Sequence, residues 1–132
     1  MGLALPIRVI FFGALPLQNI FQKEDKMKDL HDMFTVFKAE FPAVHEAQEA
    51  LGKIIHAETG PLPDKMRWLI KLVISGATGH QLALETHIAK AREAGATEGE
   101  IKQALLLIIQ TMGFPRFMEA YSTYYKMPIV GS

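Results

Sequence analysis

The stretch from Gly79 to Gly95 constrains the fold of this chain more than any other. It is rich in Ala, Leu, Glu, Lys and Gln, all good helix formers, and it closes on a glycine, the residue that most easily adopts the left-handed conformation after a helix. Thr97 and Glu100 follow with the spacing of a capping box. The centre of the chain therefore predicts two consecutive helices joined by a tight turn.

Two imidazoles share one face of the first of these helices. A 3.6-residue period places five side chains on a mostly apolar stripe: His80, Ala83, Leu84, His87 and Ala91. In most proteins a histidine in such a position is a hydrogen-bonded core residue. A structural role and a chemical role for His80 and His87 both stay open on this pattern alone.

Apolar residues recur at helical spacing in most of the chain, and no segment shows the alternation of a strand. Gly76 to Gly79 is expected to be a turn, and Pro42 and Pro115 suit the first turn of a helix. The sequence predicts an all-α fold of five to six helices. The patterns that support it, besides the central helix, are Lys26 to Phe41, Pro42 to Ile55, Asp64 to Ser75, Ile101 to Met112 and Pro115 to Tyr124.

Length and composition exclude several classes of function. The chain has 132 residues, enough for one domain, and its 14 basic and 14 acidic side chains cancel. A neutral chain has no electrostatic footprint for nucleic acid or an anionic membrane, so neither partner is expected. It contains no cysteine, which excludes disulfides and thiolate metal sites and fits a reducing compartment. We expect a cytoplasmic protein.

The N-terminal segment differs in character from the rest. Leu3 to Phe21 is largely apolar, but Arg8 and two prolines interrupt it, so it lacks the uncharged run of a spanning helix and the layout of a signal peptide. We predict an apolar extension or arm over residues 1–25 that packs on the domain or on a neighbouring subunit, followed by a single domain over 26–132. An ill-ordered extension is the alternative.

A family resemblance becomes visible from His87 onwards. The run from Ala89 to Ile101, followed by an apolar helix that ends near Gly113, Phe114 and Pro115, resembles the carboxymuconolactone decarboxylase family, which includes the alkylhydroperoxidase D-like (AhpD-like) proteins. The resemblance spans roughly Pro42 to Tyr125. It implies an AhpD-like helical domain, assembled as a trimeric or hexameric ring with sites near subunit interfaces.

The peroxidase branch of that family carries a Cys-x-x-Cys pair, a histidine four residues later and a glutamate about three turns upstream. The two cysteine positions fall on His80 and Ala83, the histidine on His87, and the glutamate on Trp68. Only the histidine is retained. Because thiol peroxidase chemistry needs a thiolate and a resolving thiol, the usual peroxidase mechanism is excluded here.

The resemblance implies decarboxylation of carboxymuconolactone or a related small carboxylated lactone. We predict that His87 is the general acid/base, since the pKa of an unperturbed imidazole lies near neutrality, and that His80 assists it. Trp68 and Ala83 are predicted to line the substrate site. Arg116 is favoured over Arg67 and Arg92 for binding the substrate carboxylate. The alternative is a non-catalytic oligomeric binding or scaffold protein of the same fold, peroxidase-like by family membership only.

No metal or cofactor is expected. His80 and His87 are seven residues apart, roughly 10.5 Å along a helix axis, whereas histidine pairs that bind one metal from a helix are three or four residues apart. The glycines near the central helix do not have the spacing of a phosphate-binding loop. A metal site completed by another helix or subunit stays open as the less favoured alternative.

Overall fold

The computed structural model describes residues 32–129. Within them all regular secondary structure is helical, as predicted. The chain separates into two compact units, Met1–Ala50 and Leu51–Ser132. The predicted apolar arm over residues 1–25 lies outside the described residues, so it and the 26–132 domain boundary stay predictions.

The described part of the first unit is helical. Helix α1 covers residues 32–40, and helix α2, Pro42–Lys53, runs on into the second unit. The Phe37 ring packs against Phe41 and His45, with ring centroids 5.8 and 6.3 Å away. Pro42 opens α2, as its fixed φ predicts. The helical spacing of Val44 and Leu51 predicts that they lie on a buried side of this helix, but they are 56% and 50% accessible.

The second unit begins with the end of α2, which continues into a π-helical turn, Ile54–Glu58. Five helices follow, connected by short turns: α3 (Asp64–Thr78), α4 (Gln81–Glu93), α5 (Glu98–Leu106), α6 (Ile108–Met112) and α7 (Phe114–Lys126). The helix predicted from Ile101 to Met112 is divided at Leu107. Among residues 32–129, no helix is both long enough and apolar enough to span a membrane.

The core of this unit lies between α3, α4, α5, α6 and α7. Its fully buried large side chains are all aliphatic: Leu72, Leu84, Ile88, Ile101, Leu105 and Ile108. Phe117, Ala120 and Tyr124 on α7 complete the cluster. Burying each large aliphatic side chain contributes about 1.5–3 kcal/mol, so this cluster fixes the position of α4 against α3.

The prediction of a turn from Gly76 to Gly79 is wrong for its first three residues, which are helical. Helix α3 continues to Thr78 and ends at Gly79, whose φ of 76° is left-handed. Gly76 is buried inside the helix. A β-carbon built there would lie 3.0 Å from Ile108 Cδ1 and 3.1 Å from Ala120 Cβ, so the glycine allows α6 and α7 to approach α3 closely.

The capping box predicted between α4 and α5 is confirmed. The Glu100 amide donates to Thr97 Oγ1 at 3.1 Å, and the Thr97 amide donates to Glu100 Oε2 at 2.9 Å. The start of α4 differs from the prediction, because His80 lies at the N-cap position and the helix begins at Gln81. His80 therefore precedes the helical face on which the sequence placed it.

An ion-pair network joins the C-terminal ends of α4 and α7 to the N-terminal end of α5. Arg92 on α4 makes a bidentate pair with Glu98 on α5, with N–O distances of 2.7 and 3.1 Å. The Tyr124 hydroxyl on α7 donates to the same carboxylate at 2.6 Å. Arg92 also donates to the Pro128 carbonyl at 3.2 Å. Bidentate and charge-assisted bonds of this kind fix geometry strongly.

Candidate functional site

One face of α3 carries four polar or aromatic side chains that the sequence pattern did not single out together. Asp64, Trp68, Lys71 and Ser75 follow one another at spacings of four, three and four residues. That spacing aligns them along a single stripe of the helix. The stripe lies beside the buried residue Leu72, so its side chains border the core.

His87 on α4 contacts this stripe. Its Nδ1 lies 2.8 Å from Ser75 Oγ and 3.2 Å from the Lys71 carbonyl oxygen. The Ser75 hydroxyl itself donates to the Lys71 carbonyl at 3.0 Å. Since a carbonyl can only accept and the serine proton is already used, Nδ1 carries the proton in the neutral ring. The lone pair is then on Nε2, which makes no hydrogen bond within the described residues.

Trp68 lies between His87 and His56. These three side chains, together with Asp64, Lys71 and Ser75, form what we call the Trp68 cluster. The indole ring centroid lies 5.7 Å from that of His87 and 4.3 Å from that of His56, which belongs to the π-helical turn. The Lys71 ammonium lies over the indole at 4.3 Å from the ring centroid. His56 donates from Nε2 to Asp64 Oδ1 at 2.9 Å. Single-turn π-helices occur frequently at functional sites.

The cluster has a distinct electrostatic character. Burial lowers the pKa of His87 below its usual value, and the positive charges of Lys71 and His56 lower it further, against the opposing effect of the Lys71 carbonyl. Burial also lowers the pKa of Lys71. The hydrogen bond from His56 lowers the pKa of Asp64. Neither Lys71 nor His87 forms an ion pair with a carboxylate of residues 32–129, so no described anion compensates these two basic groups.

The family model for carboxymuconolactone decarboxylases matches residues 42–123, more than half of the chain. The chain belongs to the carboxymuconolactone decarboxylase family. Its fold is similar to the crystal structure of a carboxymuconolactone decarboxylase family protein from Legionella pneumophila in its apo form. That likeness has a TM-score of 0.67 at 21% identity and covers 74% of this chain and 87% of the other. No curated protein sequence matches this family member significantly.

The structure brings together two of the residues predicted from the sequence of this family member, His87 and Trp68. Ala83 is partly buried one turn before His87 on α4. His80 is exposed, and its Nδ1 lies 3.1 Å from Thr78 Oγ1, outside the Trp68 cluster. Arg116 pairs with Glu119 at 2.6 Å and packs over Gly79. The roles predicted for these residues stay predictions.

Three members of the cluster were missed by sequence reasoning: His56, Lys71 and Ser75. The sequence predicts that His56 lies near a helix C-terminus and that Lys71 faces solvent, and it gives neither a role in a site. The spacing of Trp68, Lys71 and Ser75 was an available signal, because it places all three on one helical face. No sequence signal predicts the π-helical turn that brings His56 to the indole.

An open cavity of about 430 Å³ lies beside the cluster. Residues of α7, together with the end of α3 and the start of α4, line it, and Ser75 is among them. His87 and Trp68 are not lining residues. Ser75 thus belongs both to the cavity wall and to the hydrogen bonds that hold His87.

The described residues offer no metal site of the usual kind. Within residues 32–129, no group of three or more His, Cys, Asp or Glu side chains converges. The chemistry this arrangement can perform is proton transfer at the Nε2 of a partly buried imidazole, beside an aromatic wall and a nearby positive charge.

Proposed function

We propose that this family member removes CO2 from a small carboxylated lactone or a related acid, with His87 as the group that carries the proton. The observation that supports this most directly is the environment of the imidazole. Ser75 Oγ and the Lys71 carbonyl fix Nδ1, which leaves Nε2 as the exchangeable position. An imidazole held at one nitrogen and available at the other suits general acid–base catalysis.

The proposed reaction has two steps. The bond between carbon and the carboxylate breaks, CO2 leaves, and the electron pair delocalises into the unsaturated lactone and its carbonyl oxygen. A proton then moves from the imidazolium Nε2 to carbon, which leaves His87 neutral. One proton from solvent restores the imidazolium. Overall, one carboxylate and one proton give CO2 and the lactone that carries hydrogen in place of the carboxylate.

The surroundings of His87 support both steps. Trp68 and the partly buried position reduce hydration, which disfavours a carboxylate relative to the more dispersed charge of the transition state. Lys71 supplies a positive charge next to the imidazole, where it can stabilise the developing oxyanion. No step in this reaction requires a metal, a cofactor or a thiol.

The test is turnover of carboxymuconolactone, followed by ultraviolet absorbance and by CO2 release. His87→Gln keeps a similar size and polarity but cannot carry the proton, so kcat should fall by roughly 10²–10⁴-fold, the usual contribution of a general acid. Glu93→Gln is the control because Glu93 is exposed and outside the cluster, and it should retain activity within about threefold. Circular dichroism must show that both variants are folded.

Full activity in His87→Gln would refute the proposed role. Absence of turnover in the wild type, with carboxymuconolactone and related lactones, would favour the alternative, a non-catalytic oligomeric binding or scaffold protein. Exposed apolar surface favours that alternative in one respect. Ile55 on the π-helical turn and Tyr125 on α7 are 62% and 78% accessible, and exposed apolar patches mark contact surfaces.

The same exposed side chains support a homo-oligomer as part of the proposal. On α7, Phe114, Met118 and Tyr125 lie at spacings of four and seven residues on one exposed stripe. A trimer or hexamer, acting in the cytoplasm, is the assembly we propose. Light scattering coupled to size-exclusion chromatography tests it, and a monomer at micromolar concentration would contradict it.

A further inference from the structure

The Trp68 cluster has an unbalanced charge that the proposed chemistry does not by itself explain. Lys71 is partly buried, its ammonium lies over the indole, and no carboxylate of residues 32–129 pairs with it. By contrast, Lys65 on the same helix pairs with Glu100 at 3.0 Å. A partly buried cation without a counter-charge is unfavourable, and an anion placed beside it would relieve the cost.

The same imbalance acts on His87. Lys71 on α3 and His56 on the π-helical turn are the charged or titratable groups that face its imidazole, and both oppose its protonation. His56 is itself paired with Asp64. Helices α5 and α7, which also pack around this core, contribute no titratable group to the His87 environment in the described part of the chain. Protonation of His87 therefore adds a second positive charge that no carboxylate of residues 32–129 pairs with.

We infer that Lys71 and His87 form a binding site for one small carboxylate, and that the anion enters together with a proton taken up on His87. Lys71 supplies the fixed charge and Trp68 an apolar face for the body of the ligand. His87 gains its proton at Nε2, the ring nitrogen that Ser75 and the Lys71 carbonyl leave available. The site thus recognises a compact acid with a flat, weakly hydrated body.

This inference deepens the proposed function and rests on it for the identity of the site. It explains how a histidine whose protonation is disfavoured in the free protein becomes the acid that the reaction needs, since the substrate's own carboxylate favours the imidazolium. It also assigns the carboxylate-binding role to Lys71 instead of Arg116, whose guanidinium is occupied by Glu119. Binding and proton uptake need no turnover, so they can be tested separately.

The probe is 2-furoate, a five-membered ring carboxylate, measured by isothermal titration calorimetry at pH 6.5 in buffers of different ionisation enthalpy. The buffer dependence of the enthalpy gives the number of protons taken up per anion. We expect roughly half a proton or more, and affinity that weakens by up to about tenfold per pH unit above the pKa of free His87. The His87 ring signals in NMR should titrate at higher pH when 2-furoate is bound.

Variants separate the two parts of the inference. Lys71→Gln should lose binding by tenfold or more, and Lys71→Arg should retain most of it. Lys65→Gln, which removes the same charge from the same helix, is the matched control and should bind like the wild type. His87→Gln should still bind through Lys71, but without proton uptake and without the pH dependence.

Unchanged binding in Lys71→Gln, no proton uptake by the wild type, or no binding of 2-furoate between pH 5 and 8 would each overturn the inference. Failure of the proposed function looks different. In that case proton-coupled binding is intact in the wild type while carboxymuconolactone is not turned over. Turnover without proton-coupled binding would retain the decarboxylase and remove Lys71 from its mechanism.

Discussion

Alanine substitutions at two helical glycines, Gly76 and Gly52, measure how tightly α3 packs against its neighbours. Gly76 lies in α3 with Ile108 Cδ1 and Ala120 Cβ at 3.0 and 3.1 Å from the position of an added β-carbon. Gly52 lies in α2, and no packing neighbour among residues 32–129 lies within 4 Å of that position. Replacing either by alanine improves helix propensity by about 1 kcal/mol. Only the change at Gly76 also forces atoms into an occupied space.

The expected magnitudes follow from these distances. Overpacking of a well-packed core costs about 1–3 kcal/mol, and neither Ala120 Cβ nor the backbone behind it can rotate away. Gly52→Ala should therefore raise the free energy of unfolding by about 1 kcal/mol. Gly76→Ala should change it by between about 0 and −2 kcal/mol, since the propensity gain offsets part of the packing cost. The difference between the two variants isolates the packing cost itself.

Urea denaturation at 25 °C, followed by circular dichroism and by fluorescence of the single tryptophan, measures both free energies. Because Ser75 is adjacent to Gly76, a shift of α3 should also weaken the hold on His87, visible as a change in its NMR titration. If Gly76→Ala stabilised the protein as much as Gly52→Ala, α3 could not lie against α6 and α7 as described. The account of how His87 is positioned would then fail with it.

Two further predictions concern titration. The pKa of His87 is lowered from its ordinary value of 6.5, so the unfolded chain binds more protons than the folded chain below that pH. The free energy of unfolding should therefore fall as the pH drops from 6.5 through the folded-state pKa. His87→Gln should reduce the pH dependence of the urea midpoint over this window. Burial and Glu98 raise the pKa of Tyr124 to about 12, so Glu98→Gln should lower it, as measured by tyrosinate absorbance, and cost roughly 1.5–3 kcal/mol of stability. Exposed Glu93→Gln, as the control, should change stability by less than about 0.5 kcal/mol. If His87→Gln left the pH dependence of the urea midpoint unchanged, the described environment of His87 would be contradicted. If Glu98→Gln left the pKa of Tyr124 unchanged, the contact between Tyr124 and Glu98 would be contradicted.

Local rules predicted the parts of the fold that local interactions decide. The all-α class depends on helix propensity and hydrophobic period, and the start of α2 depends on the fixed φ of Pro42. The capping box depends on hydrogen bonds between Thr97 and Glu100, which are three residues apart. Gly76 shows where such rules stop. Its neighbourhood, with a second glycine three residues later, is typical of a turn, but burial against Ile108 and Ala120 keeps it helical.

The candidate site divides in the same way. His87 was identifiable because a histidine on an apolar helix face is conspicuous and because the resemblance to the peroxidase branch places a histidine at this position. Its partners were not, because their contacts join α4 to α3 and to the π-helical turn, across 12 to 16 residues for Ser75 and Lys71. A π-helical turn shifts the register of the chain by one residue without a characteristic residue type, so His56 could be placed beside Trp68 only from the structure.

The replacement of an acidic residue by Trp68 connects these observations. The resemblance to the peroxidase branch places a glutamate at this position, where its carboxylate would balance a nearby lysine and imidazole. With an indole there instead, the lysine lies over an aromatic face, and burial and that lysine lower the pKa of the imidazole. Among residues 32–129 no carboxylate pairs with either group, so an added anion would lower the local charge. A site without thiols, in which no described carboxylate pairs with Lys71 or His87, is poorly suited to thiol redox chemistry and suited to binding an acid, and this charge is the physical reason for proposing a carboxylate substrate at His87.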